Sequence, residues 1–339
     1  MQPSRTQFRG AFHDHTIDSQ VLRGNALGDP SERPLWVYTP PGYDPGAETR
    51  YPSIYLIQGL TGSVDMWWNR KPFRAGVPDL LDRLFADEGC PPVIVVMVDA
   101  MTSLGGSQFV NSPGTGRYLD YLCDEVVGFV DGNYRTLAER DHRGITGKSS
   151  GGYGAMVVPM LRPDLWGGLA THAGDALFEV CYQPEFRETV RALRGHYEGS
   201  YEKFWADFRS RPAFAKKDDG TLLNSWCMAA CYSANEDGSV DLPFDPATGR
   251  MIPEVWERWL ALDPVRMAPE NAETLKSMRA LYVDAGKADE FYLDLGAEAF
   301  VAELDALGIE SFFELFEGTH MDIEYRYPIA IRYLAERLG

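Results

Sequence analysis

No run of 18 apolar residues occurs anywhere in this 339-residue chain, and the longest, near Val93–Val98, is strand-sized. The reading therefore contains no membrane-spanning helix. The opening Met1-Gln2-Pro3-Ser4-Arg5-Thr6 lacks the apolar stretch of a secretory leader. Cysteine is sparse: five residues, at 90, 123, 181, 227 and 231. An odd, scattered set fits a reduced, cytoplasmic protein better than a disulfide framework. Basic charge is also short, with 32 Lys and Arg against 50 Asp and Glu, a formal net charge of -18. Such a field repels nucleic acid and anionic lipid, so neither a nucleic acid nor a membrane is expected as a partner. Internal repeats and low-complexity tracts are lacking too. What remains is 45% hydrophobic and 24% charged, a globular composition able to bury a sizeable core.

Three zones follow along the chain. Residues 1–174 alternate strand and helix signals. Leu35-Trp36-Val37-Tyr38-Thr39 reads as a strand stopped by Pro40-Pro41-Gly42, and Ser53-Ile54-Tyr55-Leu56-Ile57 as a second. Val93–Val98 is apolar throughout, as a strand covered on both faces requires. Helical spacing marks Pro78–Asp87 and Tyr118–Tyr134, and a short strand, Arg143–Thr146, precedes a helix start at Gly151. Residues 175–275 break the rhythm with helical stretches and frequent Trp, Phe and Tyr, which reads as an inserted cap or lid. Residues 276–339 resume it with strands at Ala280–Asp284 and Ser311–Phe316 and helices at Leu293–Leu307 and Ile323–Leu338. The expected fold is α/β: a mainly parallel, doubly wound sheet with an inserted helical, aromatic-rich cap.

Gly147-Lys148-Ser149-Ser150-Gly151 is the chain's single G-x-S-x-G match. It lies between an apolar strand and a small-residue helix start, the strand-turn-helix setting of a nucleophile elbow. Centring on Ser150 would put Lys148 where the leading glycine belongs, so Ser149 is the nucleophile candidate. A plain glycine-rich turn is the bland alternative. A serine hydroxyl needs a base. Of six histidines, His320 follows the last strand, at the carboxyl end of the sheet where open α/β sheets keep their sites. His13 and His15 fall on an edge strand, His142 at the wrong end, and His196 in the insertion. His172 closes the strand after the nucleophile helix and is expected to contact substrate. For the residue that orients the imidazole, Asp284, Asp289 and Glu290 compete in the segment after Val283. Oxyanion donors are expected at the Ser150 amide and at the Leu60 amide in Gln58-Gly59-Leu60-Thr61-Gly62. Gln58, Trp67 and Trp68 are further candidates for substrate contact; the two tryptophans fit a core role equally well.

Other patterns carry less. Asn235-Glu236-Asp237-Gly238 with Asp241 lacks the closing Glu of a calcium loop and reads as a turn. Cys227 and Cys231 have no zinc-spaced companions. Gly147-Lys148-Ser149 lacks the upstream glycine of a phosphate loop, because position 142 is His.

Taken together, Val37–Tyr43, Gly59-Leu60-Thr61, the Gly147–Ala155 elbow, Gly286-Lys287-Ala288-Asp289-Glu290-Phe291 and His320 resemble the esterase D family. Its members include S-formylglutathione hydrolases, feruloyl esterases, enterochelin esterases and antigen 85 mycolyltransferases. The resemblance covers about 35–174 and 276–335. It implies a triad of Ser149, Asp289 and His320, with Leu60 and Ser150 as oxyanion amides. It also implies a small-molecule ester substrate and no metal or organic cofactor. Gln58 stands where many members have His, and Gly62 where S-formylglutathione hydrolases have Cys, so the resemblance does not extend to glutathione thioesters. The expected activity is carboxylic-ester hydrolysis. Acyl transfer to an alcohol, thioester hydrolysis and non-catalytic binding on the same fold are the alternatives. Oligomeric state is open, with a homodimer among the options.

Overall fold

The computed structural model describes residues 7–69, 73–87, 89–214 and 216–339. The opening segment 1–6, read above for a leader, lies outside them. Chain order begins with β1 (Ala11–Asp18), β2 (Glu32–Thr39), β3 (Ser53–Ile57), α1 (Val77–Ala86) and β4 (Ile94–Val98). A two-residue ribbon, β5 (Asn111–Ser112) and β6 (Gly116–Arg117), leads into α2 (Tyr118–Asp120). One wide π-helical stretch, Tyr121–Val126, joins α2 to α3 (Val127–Asn133). Next come β7 (Arg143–Ser149), α4 (Ser150–Leu161) and β8 (Gly168–Gly174).

Among the described residues, seven helices separate β8 from the next strand. They are α5 (Phe178–Cys181), α6 (Gln183–Tyr197), α7 (Tyr201–Ser210), α8 (Asp219–Tyr232), α9 (Pro253–Leu260), α10 (Pro264–Glu270) and α11 (Ala272–Lys276). The chain closes with β9 (Ala280–Gly286), α12 (Leu293–Ala306), β10 (Phe312–Phe316) and α13 (Tyr327–Leu338).

The eight long strands form one sheet in the order β1-β2-β4-β3-β7-β8-β9-β10. β1 and β2 run antiparallel at one edge, and every pairing from β4 to β10 is parallel. This is the α/β-hydrolase architecture. β3 and β4 are buried at every position, which explains their unbroken apolar runs. One core face gathers Tyr55, Val96, Ile145 and Leu169 under the helical segment. The other gathers Ile54, Leu56, Val95 and Met97 against α1 and α13.

Register brings the site together. Ile57 pairs with Val98 on one side and Gly147 on the other, so β3, β4 and β7 end level. The loops leaving β3, β7, β8, β9 and β10 therefore open on one edge, the carboxyl edge where such sheets bind ligands.

Candidate active site

β7 runs without a break into Ser149, and α4 begins one residue later. Ser149 has φ 59° and ψ -128°, a conformation that L residues rarely adopt. The turn is tight because its glycines are pressed against backbone. A Cβ on Gly147 would lie 2.5 Å from the Gly151 carbonyl, and one on Gly151 would lie 2.4 Å from Ile57 O. The β7–β8 register also shifts between Lys148 and Ser149, so that Ser149 pairs with Gly174 and skips Ala173. α4 then presents its first amides, Ser150 among them, where no intrahelical acceptor exists.

His320 lies in the loop after β10 and is buried. Its Nδ1 is 2.8 Å from Asp289 Oδ2. A carboxylate can only accept there, so Nδ1 carries the proton and Nε2 is left as the basic nitrogen. Asp289 is held in turn: its Oδ1 accepts from the Phe291 amide at 2.9 Å. Glu290 accepts the His320 amide at 2.8 Å, a bond that holds its carboxyl below the usual range. The Phe291 ring meets the imidazole edge-on, 4.9 Å away. Among the described residues no hydrogen bond to Ser149 Oγ is formed. Such contacts commonly close only around substrate.

Ser149, Ser150, His320 and Leu60 border one cavity of about 580 Å³. Thr61, next to Leu60, takes φ 62° and donates its amide to Gly105 O at 2.8 Å. The segment beyond it is pinned from below: Asp99, buried and paired with Arg33, accepts the Val64 amide at 2.8 Å.

The remaining candidates divide. Trp67 borders the cavity, with its ring 5.5 Å from that of Tyr327, which borders it too. Trp68 lies away from it, against Phe12 and Trp36. Gln58 is buried and is absent from the cavity lining. With its carboxamide oriented to match its neighbours, it donates to Val98 O at 2.6 Å and accepts from the Ala100 and Met101 amides. Its side chain ties β3 to the end of β4. His172 is fully buried and does not reach the cavity. Its Nδ1 bonds Asp284 Oδ1 at 2.6 Å, and Asp284 Oδ2 takes Arg326 Nε and Tyr282 OH. That pairing commits Asp284 to a second His–Asp pair inside the sheet and separates it from His320. Burial pulls the Asp284 carboxyl up, but His172, Arg326 and Tyr282 together outweigh it and hold the carboxyl low.

Residues that the sequence reading passed over complete the cavity. Asp175, one residue beyond β8, borders it together with Tyr182, Glu185 and Asn224 from the helical segment. Burial raises the Asp175 carboxyl, and burial pushes Glu185 up to about 7. The available signal was position: Asp175 stands at the same sheet edge as Ser149. Among the described residues no group of His, Cys, Asp or Glu is arranged to hold a metal ion. The cavity thus faces a hydroxyl, a carboxylate-held imidazole and helix-start amides, the groups that nucleophilic acyl transfer requires.

Comparison with known proteins bears on the family and the fold. A family model described as "Putative esterase" matches residues 26–321. An endo-1,4-beta-xylanase/feruloyl esterase of Xylanibacter ruminicola is 27% identical over 170 residues, covering 49% of this chain and 22% of that protein. Esterase Rv1288 of Mycobacterium tuberculosis is 28% identical over 141 residues, 41% of this chain and 28% of that protein. The matched region thus spans about a quarter of these relatives. Among solved structures, a ferulic acid esterase has a TM-score of 0.62 at 20% identity, covering 98% of this chain and 100% of its own. An S-formylglutathione hydrolase from Agrobacterium tumefaciens has a TM-score of 0.57 at 16% identity, covering 99% and 98%. These structural likenesses concern the fold.

Proposed function

The chain belongs to the Putative esterase family, and from that premise we propose that it is a serine carboxylesterase acting through an acyl-enzyme on Ser149. The observation that carries the reading is the His320–Asp289 bond of 2.8 Å beside the same cavity as the strained Ser149 elbow. Ser149 Oγ attacks the ester carbonyl while His320 Nε2 takes its proton. Asp289 holds the ring and stabilises the imidazolium that forms. The Leu60 and Ser150 amides receive the oxyanion. His320 then protonates the departing alcohol. Water repeats the cycle on the acyl group and frees Ser149.

The segment 175–275 serves as the lid of this site. Support comes from Tyr182, Glu185, Leu223 and Asn224, which line the cavity from α6 and α8 and their approach. The substrate is a small-molecule ester, in keeping with a cavity of about 580 Å³. A cytoplasmic setting suits five buried cysteines of which none forms a disulfide.

Hydrolysis of p-nitrophenyl esters from acetate to decanoate by wild type and Ser149→Ala tests the reading. We expect turnover in wild type and a fall of at least ~10³-fold in the variant. Equal rates in both proteins would remove Ser149 from the chemistry.

A further inference from the structure

We propose that Asp175, Glu185 and Asn224 form a subsite that recognises a primary ammonium group on the substrate. The turnover arm of its test rests on the esterase reading; the binding arm does not.

The argument starts from where the donors go. Asp175 is only 5% exposed, yet it borders the cavity. Its Oδ2 receives Tyr182 OH at 2.6 Å, Gln108 Nε2 at 3.2 Å and Ser150 Oγ at 3.2 Å. Its Oδ1 has no hydrogen-bond partner among the described residues. Glu185, on α6, repeats the pattern. Its Oε2 accepts Asn224 Nδ2 at 2.8 Å, and Oε1 has no partner among the described residues. With its nitrogen committed to Glu185, Asn224 turns its oxygen elsewhere. While the two acids are ionised, the open oxygens of these three residues are all acceptors, and the one open donor is the second hydrogen of Asn224 Nδ2.

Charge sharpens the choice. Neither carboxyl has an ion-pair partner among the described residues. The cations that border the cavity, Arg74, Lys148 and Lys217, bond neither of them, and Arg74 is engaged by Asp322. Burial opposes ionisation at both sites; Glu188 and Asp175 push Glu185 up further, while bonds from Tyr182 and Gln108 and the nearby His320 offset part of the effect at Asp175. A buried and a half-buried carboxyl with no ion-pair partner among the described residues ionise at a cost that a bound cation would offset. An ammonium group brings one positive charge and three donors with no acceptor. A sugar hydroxyl could donate to these oxygens but brings no charge to balance the two carboxylates. A quaternary ammonium brings charge but no donor, and an anion would be repelled.

The first arm measures binding of n-hexylammonium and of 1-hexanol to the full chain by calorimetry. We expect hexylammonium to bind at least tenfold more tightly in wild type. That preference should fall towards unity in Glu185→Gln and in Asp175→Asn. Because Asp175 also bonds Ser150, a failure of Asp175→Asn to fold leaves Glu185→Gln to decide. That variant removes one of 50 acids, so a loss of preference reports the subsite and not the overall field. The second arm compares kcat/KM for p-nitrophenyl 6-aminohexanoate and p-nitrophenyl hexanoate, with a tenfold or greater advantage expected for the amine that Glu185→Gln collapses. Hexylammonium binding no tighter than hexanol, or a preference that survives Glu185→Gln, overturns the proposal. Tight, variant-sensitive binding with neither ester hydrolysed would uphold the subsite and sink the esterase reading. Hydrolysis of the hexanoate without any ammonium preference would do the reverse.

Discussion

Ser149 holds a backbone conformation that costs a non-glycine residue of order 1–3 kcal/mol, and the surrounding glycine contacts enforce it. Nearby acids divide by partner: Asp284 takes His172 and Arg326, while Asp289 takes His320. From sequence alone Asp284, Asp289 and Glu290 were equal in chemistry and within seven positions of one another. The Gly286–Phe291 resemblance points to Asp289, and the path of the chain after Gly286 is what brings it to His320. Glu185 gives a prediction at this scale. Its carboxyl is raised from its ordinary value to about 7, so it favours the folded state fully below about pH 4.5 and loses that contribution as pH rises through 7. Glu185→Gln should match wild type near pH 4 and be the more stable protein at pH 8. The gain should be roughly 1–3 kcal/mol after allowing for partial exposure, read as denaturant midpoints at the two pH values. Equal differences at both would contradict the shift.

Elements with one clear periodicity were legible. Ser53–Ile57 is β3 as read, and Pro78–Asp87 lies within one residue of α1. Arg143–Thr146 continues as β7 to Ser149, because Gly147 carries the strand on into the elbow. α8 is buried on nearly all sides, so its apolar residues show no face from which its bounds could be read. Ile323–Leu338 resolves into a short 3-10 turn and α13 from Tyr327. The elbow itself carries the prediction at this scale. Gly151→Ala places a methyl 2.4 Å from Ile57 O and 2.9 Å from Gln58 O, both rigid backbone. We expect a loss of at least ~1–3 kcal/mol in stability and a collapse of esterase turnover, since β3 and β7 must part to admit it. A variant with wild-type melting temperature and rate would show that the elbow is looser than described.

Across the whole molecule, the site is assembled from residues as far apart in sequence as Leu60 and His320. Fold class could be read because strand-helix alternation is a global rhythm. The cavity wall could not, because Asp175, Glu185 and Asn224 converge only through the packing of α6 on α8. The net charge of -18 acts at this scale too. It should slow capture of anionic esters at low salt, so raising ionic strength from ~10 to ~150 mM should lift their kcat/KM several-fold and leave neutral esters unchanged. A matched pair of esters differing by one remote carboxylate measures this, and parallel salt responses would deny any steering. The central claim, that Ser149 is the activated nucleophile, is tested most directly by covalent labelling. Wild-type protein treated with a fluorophosphonate should gain one adduct, mapped by peptide mass spectrometry to Ser149 and absent from His320→Ala. No adduct, or an adduct on another residue, would contradict the account.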